Sequence, residues 1–153
     1  SCGVGGHCIA IDPWFLAASD PKNTKLIQLA RKTNNHKSDW VVKNVIEKAK
    51  ILETKLNRMP IIGCLGITFK PNVEDTRESP ALKIVNDLIK SGFEILVWDP
   101  NIKSEKNINL SDKDTLLNKA DLIICLVAHK EFLNLDFSNH EFFDLCGLTN
   151  KYS

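Results

Sequence analysis

Ile61-Ile62-Gly63-Cys64-Leu65-Gly66-Ile67 decides the fold. It is a short apolar run bounded by Pro60 and a polar loop, the pattern of a strand buried on both faces of a parallel sheet. Downstream, Ser79-Pro80 opens a helix over 81–90, in which Leu82, Val85, Leu88 and Ile89 recur at helical spacing and Ser91-Gly92 gives the stop. Phe93-Glu94-Ile95-Leu96-Val97-Trp98 reads as a second strand leading to Asp99-Pro100. A polar loop over 101–110 and a helix at about 111–119 precede Asp121-Leu122-Ile123-Ile124-Cys125-Leu126-Val127, the clearest strand of all. A helical turn near 130–133 and a strand at 142–145 close the series. Strand and helix in strict alternation predict an α/β fold: a Rossmann-like parallel sheet with flanking helices on both faces and right-handed crossovers.

Upstream the period changes from strand to helix. A stripe of Leu26, Ile27, Leu29 and Ala30 predicts a helix over 22–34, which Asn34-Asn35 should break. Ser38 or Asp39 can cap the next helix, running to about 56. Val41, Val45, Leu52 and Leu56 share one face, and Lys43, Glu47, Lys50 and Glu53 take the other. That face is expected to pack on something outside the chain. The break at Asn57-Arg58-Met59-Pro60 sets one boundary: a helical segment at 1–58 and a sheet domain at 59–153.

At the start stands Gly3-Val4-Gly5-Gly6-His7-Cys8-Ile9-Ala10-Ile11-Asp12-Pro13-Trp14-Phe15. Clustered glycines let backbone amides converge and a substrate approach closely, since no Cβ intervenes. A cysteine beside such a loop, near a helix start, is a candidate nucleophile. Asp12 then either orients a water or caps a short helix over 13–18 that Pro13 opens. Cys2, His7 and Cys8 supply three possible zinc ligands where a closed site needs four, so no metal is expected. A cysteine hydrolase built on His7 and Cys8 lacks a third orienting group, and adjacent residues rarely face one another.

Twenty basic against nineteen acidic residues leave a net charge of +1, which favours neither nucleic acid nor a membrane surface as partner. No apolar run reaches the ~20 residues that span a bilayer. Cys64 and Cys125 sit in apolar, strand-like runs and read as buried reduced thiols of a cytoplasmic protein.

Two segments together resemble a known family. The Gly3–Phe15 string is similar to the cysteine loop of the UDP-glucose/GDP-mannose dehydrogenase family. Gly66-Ile67-Thr68-Phe69-Lys70-Pro71-Asn72-Val73-Glu74-Asp75-Thr76-Arg77-Glu78-Ser79-Pro80 resembles the signature that opens its C-terminal, nucleotide-sugar-binding domain. The resemblance implies a C-terminal portion of such an enzyme, lacking an NAD-binding Rossmann domain and most of a helical middle domain. It implies an oxidation at the sugar C6 with NAD as cofactor and a UDP-sugar as substrate, and a homo-oligomer in the full-length protein. Cys8 would hold the aldehyde as thiohemiacetal and then thioester, and Asp12 would serve the hydrolytic water. Gly5, Gly6, His7, Phe69 and Lys70 would contact the substrate, and Arg77 the NAD phosphates. Ordinary surface salt bridges are the alternative for Lys70 and Arg77.

Ile11 stands where glucose-oxidising members carry a lysine, and His7 where they carry a serine. Asp144-Leu145-Cys146-Gly147 stands where they place Asp-Gly followed by an arginine. These departures resemble the branch acting on UDP-N-acetyl-D-mannosamine, with UDP-N-acetylglucosamine, UDP-glucose, or a UDP-sugar-binding module without turnover as alternatives. Gly63-Cys64-Leu65-Gly66 falls short of G-x-G-x-x-G, so it is a weak dinucleotide signal. Asp99 reads as a turn residue before Pro100, Glu78 as an ion-pair or helix-cap residue, and His129 has no assigned role.

Overall fold

The computed structural model describes residues 1–149; the tail of the unit expected at 59–153, residues 150–153, lies outside the described residues. Two helices lead, α1 (His7–Ser19) and α2 (Lys25–Leu56). Then come β1 (Ile62–Leu65), α3 (Pro80–Lys90), β2 (Ile95–Trp98), α4 (Lys113–Lys119), β3 (Leu122–Cys125), a 3-10 turn (Lys130–Phe132) and β4 (Glu141–Asp144). The strands form one parallel sheet in the order β2-β1-β3-β4, with Gly63 opposite Leu96 on one side and Ile123 on the other. This is the expected Rossmann-like α/β arrangement.

Alternation along the strands divides the core in two. Ile62, Cys64, Val97, Leu122 and Ile124 point to one face, where α3 supplies Ile84, Val85 and Leu88. Leu65, Ile123 and Cys125 point to the other, against Leu116 of α4 and Phe132 and Phe137 beyond it. Each fully buried aliphatic side chain contributes roughly 1.5–3 kcal/mol. Gly63 belongs to this packing: a Cβ there would stand 2.9 Å from both Ala120 Cβ and Leu116 Cδ2. At the opposite end of the strands, Arg58 grips Asp121 with two 2.8 Å hydrogen bonds, and Asp121 also takes the Ile61 amide at 2.8 Å.

Three expectations about the helices are corrected. First, α2 is continuous through Asn34-Asn35 and Ser38-Asp39. Asn34 looks outward and forms two bonds to the backbone of Val4, accepting its N–H at 2.7 Å and donating to its carbonyl at 2.9 Å. Asn35 accepts from Arg31, Ser38 is buried and donates to the Cys2 carbonyl, and Asp39 pairs with Lys83. Their polar groups are engaged with other partners, so they do not compete for their own helix backbone. Asn57, in the left-handed region at φ 54°, ends the helix.

Second, the apolar face of α2 meets the sheet domain itself. Val41, Val45 and Ala49 are fully buried in the same cluster as Ile84, Val85 and Leu88 of α3. Leu26 and Leu29 of the upstream stripe are exposed instead, at 78% and 61%. Third, α1 begins at His7 rather than at Pro13, which lies inside it. Ile9, whose carbonyl loses the bond that the Pro13 ring cannot donate, is 60% exposed, where solvent can serve it.

Candidate active site

β1 lies between β2 and β3, so the chain leaves β1 toward one neighbour and later returns to the other. Open α/β sheets bind ligands beyond the strand C-termini at such a reversal. Here a cavity of about 160 Å³ opens between the loops after β1 and β3, lined by Thr68, Phe69, Lys70, Leu126, Val127 and the Ser1–Gly3 segment. Sites that hold a whole ligand are typically ~300–1,000 Å³, so this one suits part of a ligand.

The loop after β1 is fixed internally. Gly66 has φ +82°, and a Cβ on it would stand 2.7 Å from Val127 Cβ and 2.9 Å from Val127 O. Thr68 donates to the Lys70 carbonyl at 2.9 Å, and the Phe69 amide donates to Asp75 O at 3.0 Å. Ser79 caps α3 by accepting the Leu82 amide and donates to Thr68 O at 3.0 Å. Glu78, expected as a cap or ion-pair partner, is neither among the described residues: it is exposed at φ 52°, and the cap is its neighbour.

Lys70 is exposed, its Nζ 5.4 Å from the Phe69 ring centroid, and no carboxylate among the described residues pairs with it. Arg77 does pair: Nε and Nη2 reach Asp75 at 3.0 and 2.7 Å. Those bonds hold the Asp75 carboxyl down at about 2, with a weaker contribution from His7. They also raise Arg77 above its ordinary range, and Cys8 lies close enough to add to that effect.

The cysteine turn docks on this loop. Gly5 is buried where a Cβ would collide with the Glu78 carbonyl and with Pro80 Cδ. Gly6, at φ +100°, lies against the Phe69 ring, which a Cβ would approach to 3.0 Å. The open sides of both glycines thus face protein. His7 and Cys8 follow as the first residues of α1, both exposed. The amides of a helix's first turn have no partner within the helix, and Cys8 belongs to that turn.

Asp12 is exposed within α1 and is not the expected cap; the N-cap is Gly6, with no side-chain bond. Four residues along a helix is one turn, so Asp12 and Cys8 share a face. Gly5, Gly6, Phe69 and Arg77 are therefore brought to one junction with His7 and Cys8. Lys70 opens into the 160 Å³ cavity, which Cys8 does not line.

Several residues that hold this junction escaped the sequence reading. Asn34 clamps Val4, as described. Arg31 is only 9% exposed and has no carboxylate partner among the described residues; Nη1 reaches the Val4 carbonyl at 3.4 Å. Cys2 and Cys146 both donate to the Leu126 carbonyl, at 3.3 and 2.9 Å, tying the chain start to the end of β4. Cys64 and Cys125 are buried and unbridged, and burial pushes the Cys64 thiol up.

Asp99 is more than a turn residue. It is 5% exposed, accepting the Ile67 amide at 2.7 Å, the Asn101 amide at 2.9 Å and His129 Nε2 at 3.1 Å. Burial alone would push its carboxyl up; the bonds from His129, Ile67 and Asn101 outweigh that and hold it below the usual range.

The sheet does not offer a dinucleotide cradle. Gly63, inside β1, packs against Leu116 and Ala120, and Gly66, just past its end, against Val127, leaving no room for a pyrophosphate at either. Arg77 fits one peripheral phosphate contact, because it is exposed and its Nη1 makes no bond among the described residues.

Residues 63–148 match the UDP binding domain of the UDP-glucose/GDP-mannose dehydrogenase family. The chain is 43% identical over 142 residues to a UDP-N-acetyl-D-mannosamine dehydrogenase of Campylobacter jejuni, covering 88% of this chain and 34% of that one. It is 38% identical over 139 residues to an NDP-N-acetyl-D-galactosaminuronic acid dehydrogenase of Ralstonia solanacearum, covering 88% and 32%. Among solved structures, a UDP-N-acetyl-mannosamine dehydrogenase of S. aureus superposes with a TM-score of 0.80 at 35% identity, covering 99% of this chain and 36% of that one. The chain thus spans about a third of the length of the relatives it matches. Fold, strand-end loop and family match converge, and the chain belongs to the UDP-glucose/GDP-mannose dehydrogenase family.

Proposed function

We propose that this chain is the nucleotide-sugar-binding and thiol-bearing part of an NAD-dependent UDP-N-acetyl-D-mannosamine 6-dehydrogenase. The observation that carries it is Cys8: exposed in the first turn of α1, one turn from Asp12, directly after the Gly5–Gly6 turn that packs on Phe69 and Pro80. The relatives' names support the sugar, as do Ile11 and His7 at the positions noted above.

The chemistry follows from the residues. Two NAD molecules, bound one after the other, would each accept one of the two hydrides that a four-electron oxidation releases. Cys8 Sγ adds to the C6 aldehyde, its proton passing to the carbonyl oxygen, and holds the carbon as a thiohemiacetal. The first-turn amides of α1 stabilise the developing oxyanion. Loss of the second hydride and the hydroxyl proton leaves a thioester. Asp12, on the same helical face, takes a proton from the attacking water, and the C–S bond breaks to release the acid and restore the thiol. Lys70 and Phe69 hold the nucleotide portion, one by charge and one by its ring face. Gly5, Gly6 and His7 set the approach, and Arg77 meets a cofactor phosphate.

Residues 1–58 then belong to the middle domain and 59–153 to the nucleotide-sugar domain, although α2 shares the latter's core. The full-length protein is a cytoplasmic homo-oligomer in this reading; no helix among the described residues is long and apolar enough to cross a membrane. The test is NADH formation by a full-length protein carrying this chain, with UDP-N-acetylmannosamine, UDP-N-acetylglucosamine and UDP-glucose compared. Preference for the mannosamine sugar is expected. UDP binding without any NADH would leave a binding module, and preference for UDP-glucose would overturn the sugar assignment.

A further inference from the structure

His129 follows β3 and is fully buried, at 0% exposure, where the loops leaving three strands meet. Its Nδ1 accepts the Asn72 backbone N–H at 2.9 Å and lies 2.9 Å from the Asn101 side-chain nitrogen. Both neighbours are donors, so Nδ1 carries no proton and the ring is the neutral Nε2–H tautomer. Nε2 then donates to Asp99 Oδ2 at 3.1 Å, with Thr68 Oγ1 at 3.2 Å beside it. Thr68's own hydroxyl hydrogen goes to the Lys70 carbonyl at 2.9 Å.

Three of the backbone groups fixed in this way lie between residues 67 and 72, and Asp99 and Asn72 also hold the Asn101 and Lys130 amides. The Ile67 amide is held by Asp99, the Lys70 carbonyl by Thr68, and the Asn72 amide by the ring itself. Asn72 is at φ 60°, a left-handed conformation that a non-glycine residue holds at a cost. It is pinned from both sides, since its Oδ1 also accepts the Lys130 amide at 3.0 Å. Phe69, Lys70 and Pro71 of this segment line the cavity, and their side chains stand outside the network. A space-filling ring would need none of this; Phe132, packed edge-on 5.3 Å away, already fills that role.

We infer that His129 is a positioning residue, fixing the 67–72 segment so that Lys70 and Phe69 are preorganised for a nucleoside diphosphate. The inference rests on the reading that these two residues bind the UDP moiety. It is tested in a full-length protein carrying this chain, with UDP as the probe, by titration calorimetry and amide hydrogen exchange. His129→Phe keeps a ring but removes both nitrogens. Its UDP affinity should fall roughly tenfold, the scale of one lost buried hydrogen bond, with faster exchange at residues 70–73.

In a Lys70→Ala background the same change should cost clearly less, because one of the two residues it positions is gone. An equal loss in both backgrounds would make the role merely structural and overturn the inference. Should His129→Phe not fold, His129→Asn and His129→Gln carry the test. Asn restores an acceptor at the Nδ1 position and should stay within a few-fold of wild type, whereas Gln reaches only the Nε2 position and should not. Equal affinities for the two would overturn the inference. If the wild-type protein fails to bind UDP, the functional reading falls and takes this inference with it; wild-type binding that the His129 variants share removes the positioning role alone.

Discussion

The turn at residues 3–8 and the loop at residues 66–79 touch at Gly6 and Phe69, yet they are held in opposite ways. The loop carries its own supports: Asp75 under Arg77, Ser79 on Thr68, and Asp99 with His129 beneath its root. The turn has almost none. Asn34 and Arg31 of α2 hold Val4, Ser38 holds Cys2, and the glycines succeed by fitting against Glu78, Pro80 and Phe69. The thiol proposed as nucleophile therefore sits on borrowed supports, while the loop proposed to hold the nucleotide is built into the sheet. Damage to the first should show in chemistry, and damage to the second in stability or binding.

The largest expected effect is on chemistry alone. Cys8→Ser should lower uronic-acid formation roughly a thousandfold or more while leaving the melting temperature unchanged, because the side chain is exposed. A paired glycine experiment follows. Gly66→Ala forces a Cβ against Val127 at positive φ and should cost roughly 2–4 kcal/mol in denaturant unfolding. Gly5→Ala pushes the turn off Glu78 and Pro80, and should reduce turnover by more than its stability loss accounts for. The reverse pattern would break the contrast between the two regions.

Asn34→Ala removes both bonds to Val4 and should cost about 1–2 kcal/mol, with turnover falling further than UDP affinity. Acid provides a smaller lever. Asp99's depressed pKa contributes stability that is complete above the unfolded value of about 3.9 and is lost as pH falls through the lower folded value. The stability gap between wild type and Asp99→Asn should thus be constant near neutrality and close below about pH 4, as thermal unfolding across pH 2–6 would record. A gap that closes nearer pH 6 would point to a different group. Smallest of all, Lys83→Ala removes half-exposed pairs with Asp39 and Asp87 and should shift stability by less than about 1 kcal/mol.

The parallel sheet was legible because its signals are local. The apolar runs at 61–67 and 121–127 and the Ser79-Pro80 start declare themselves without reference to any partner. The residue types of the candidate site stand out for a similar reason: glycines, a cysteine and an aspartate at fixed spacing. What escaped depends on contacts distant in sequence. Asn34-Asn35 looks like a helix break until Val4 is placed beside it, and no periodicity reveals that. The start of α1 was hidden because Gly6 offers no capping side chain, while Pro13 imitates a first-turn proline. The partner of α2 could not be read from its own face, since any apolar surface would satisfy Val41, Val45 and Ala49. Likewise His129 acquires its role only where three loops, each ordinary in sequence, converge.

The most direct test of the central claim is chemical capture of the sugar on Cys8. A full-length protein carrying this chain, quenched during turnover of UDP-N-acetylmannosamine with NAD and digested, should yield the Cys8 peptide carrying a thioester-linked sugar adduct, sensitive to hydroxylamine. Product formed steadily with Cys8 unmodified at every quench time, and undiminished in Cys8→Ser, would contradict the account.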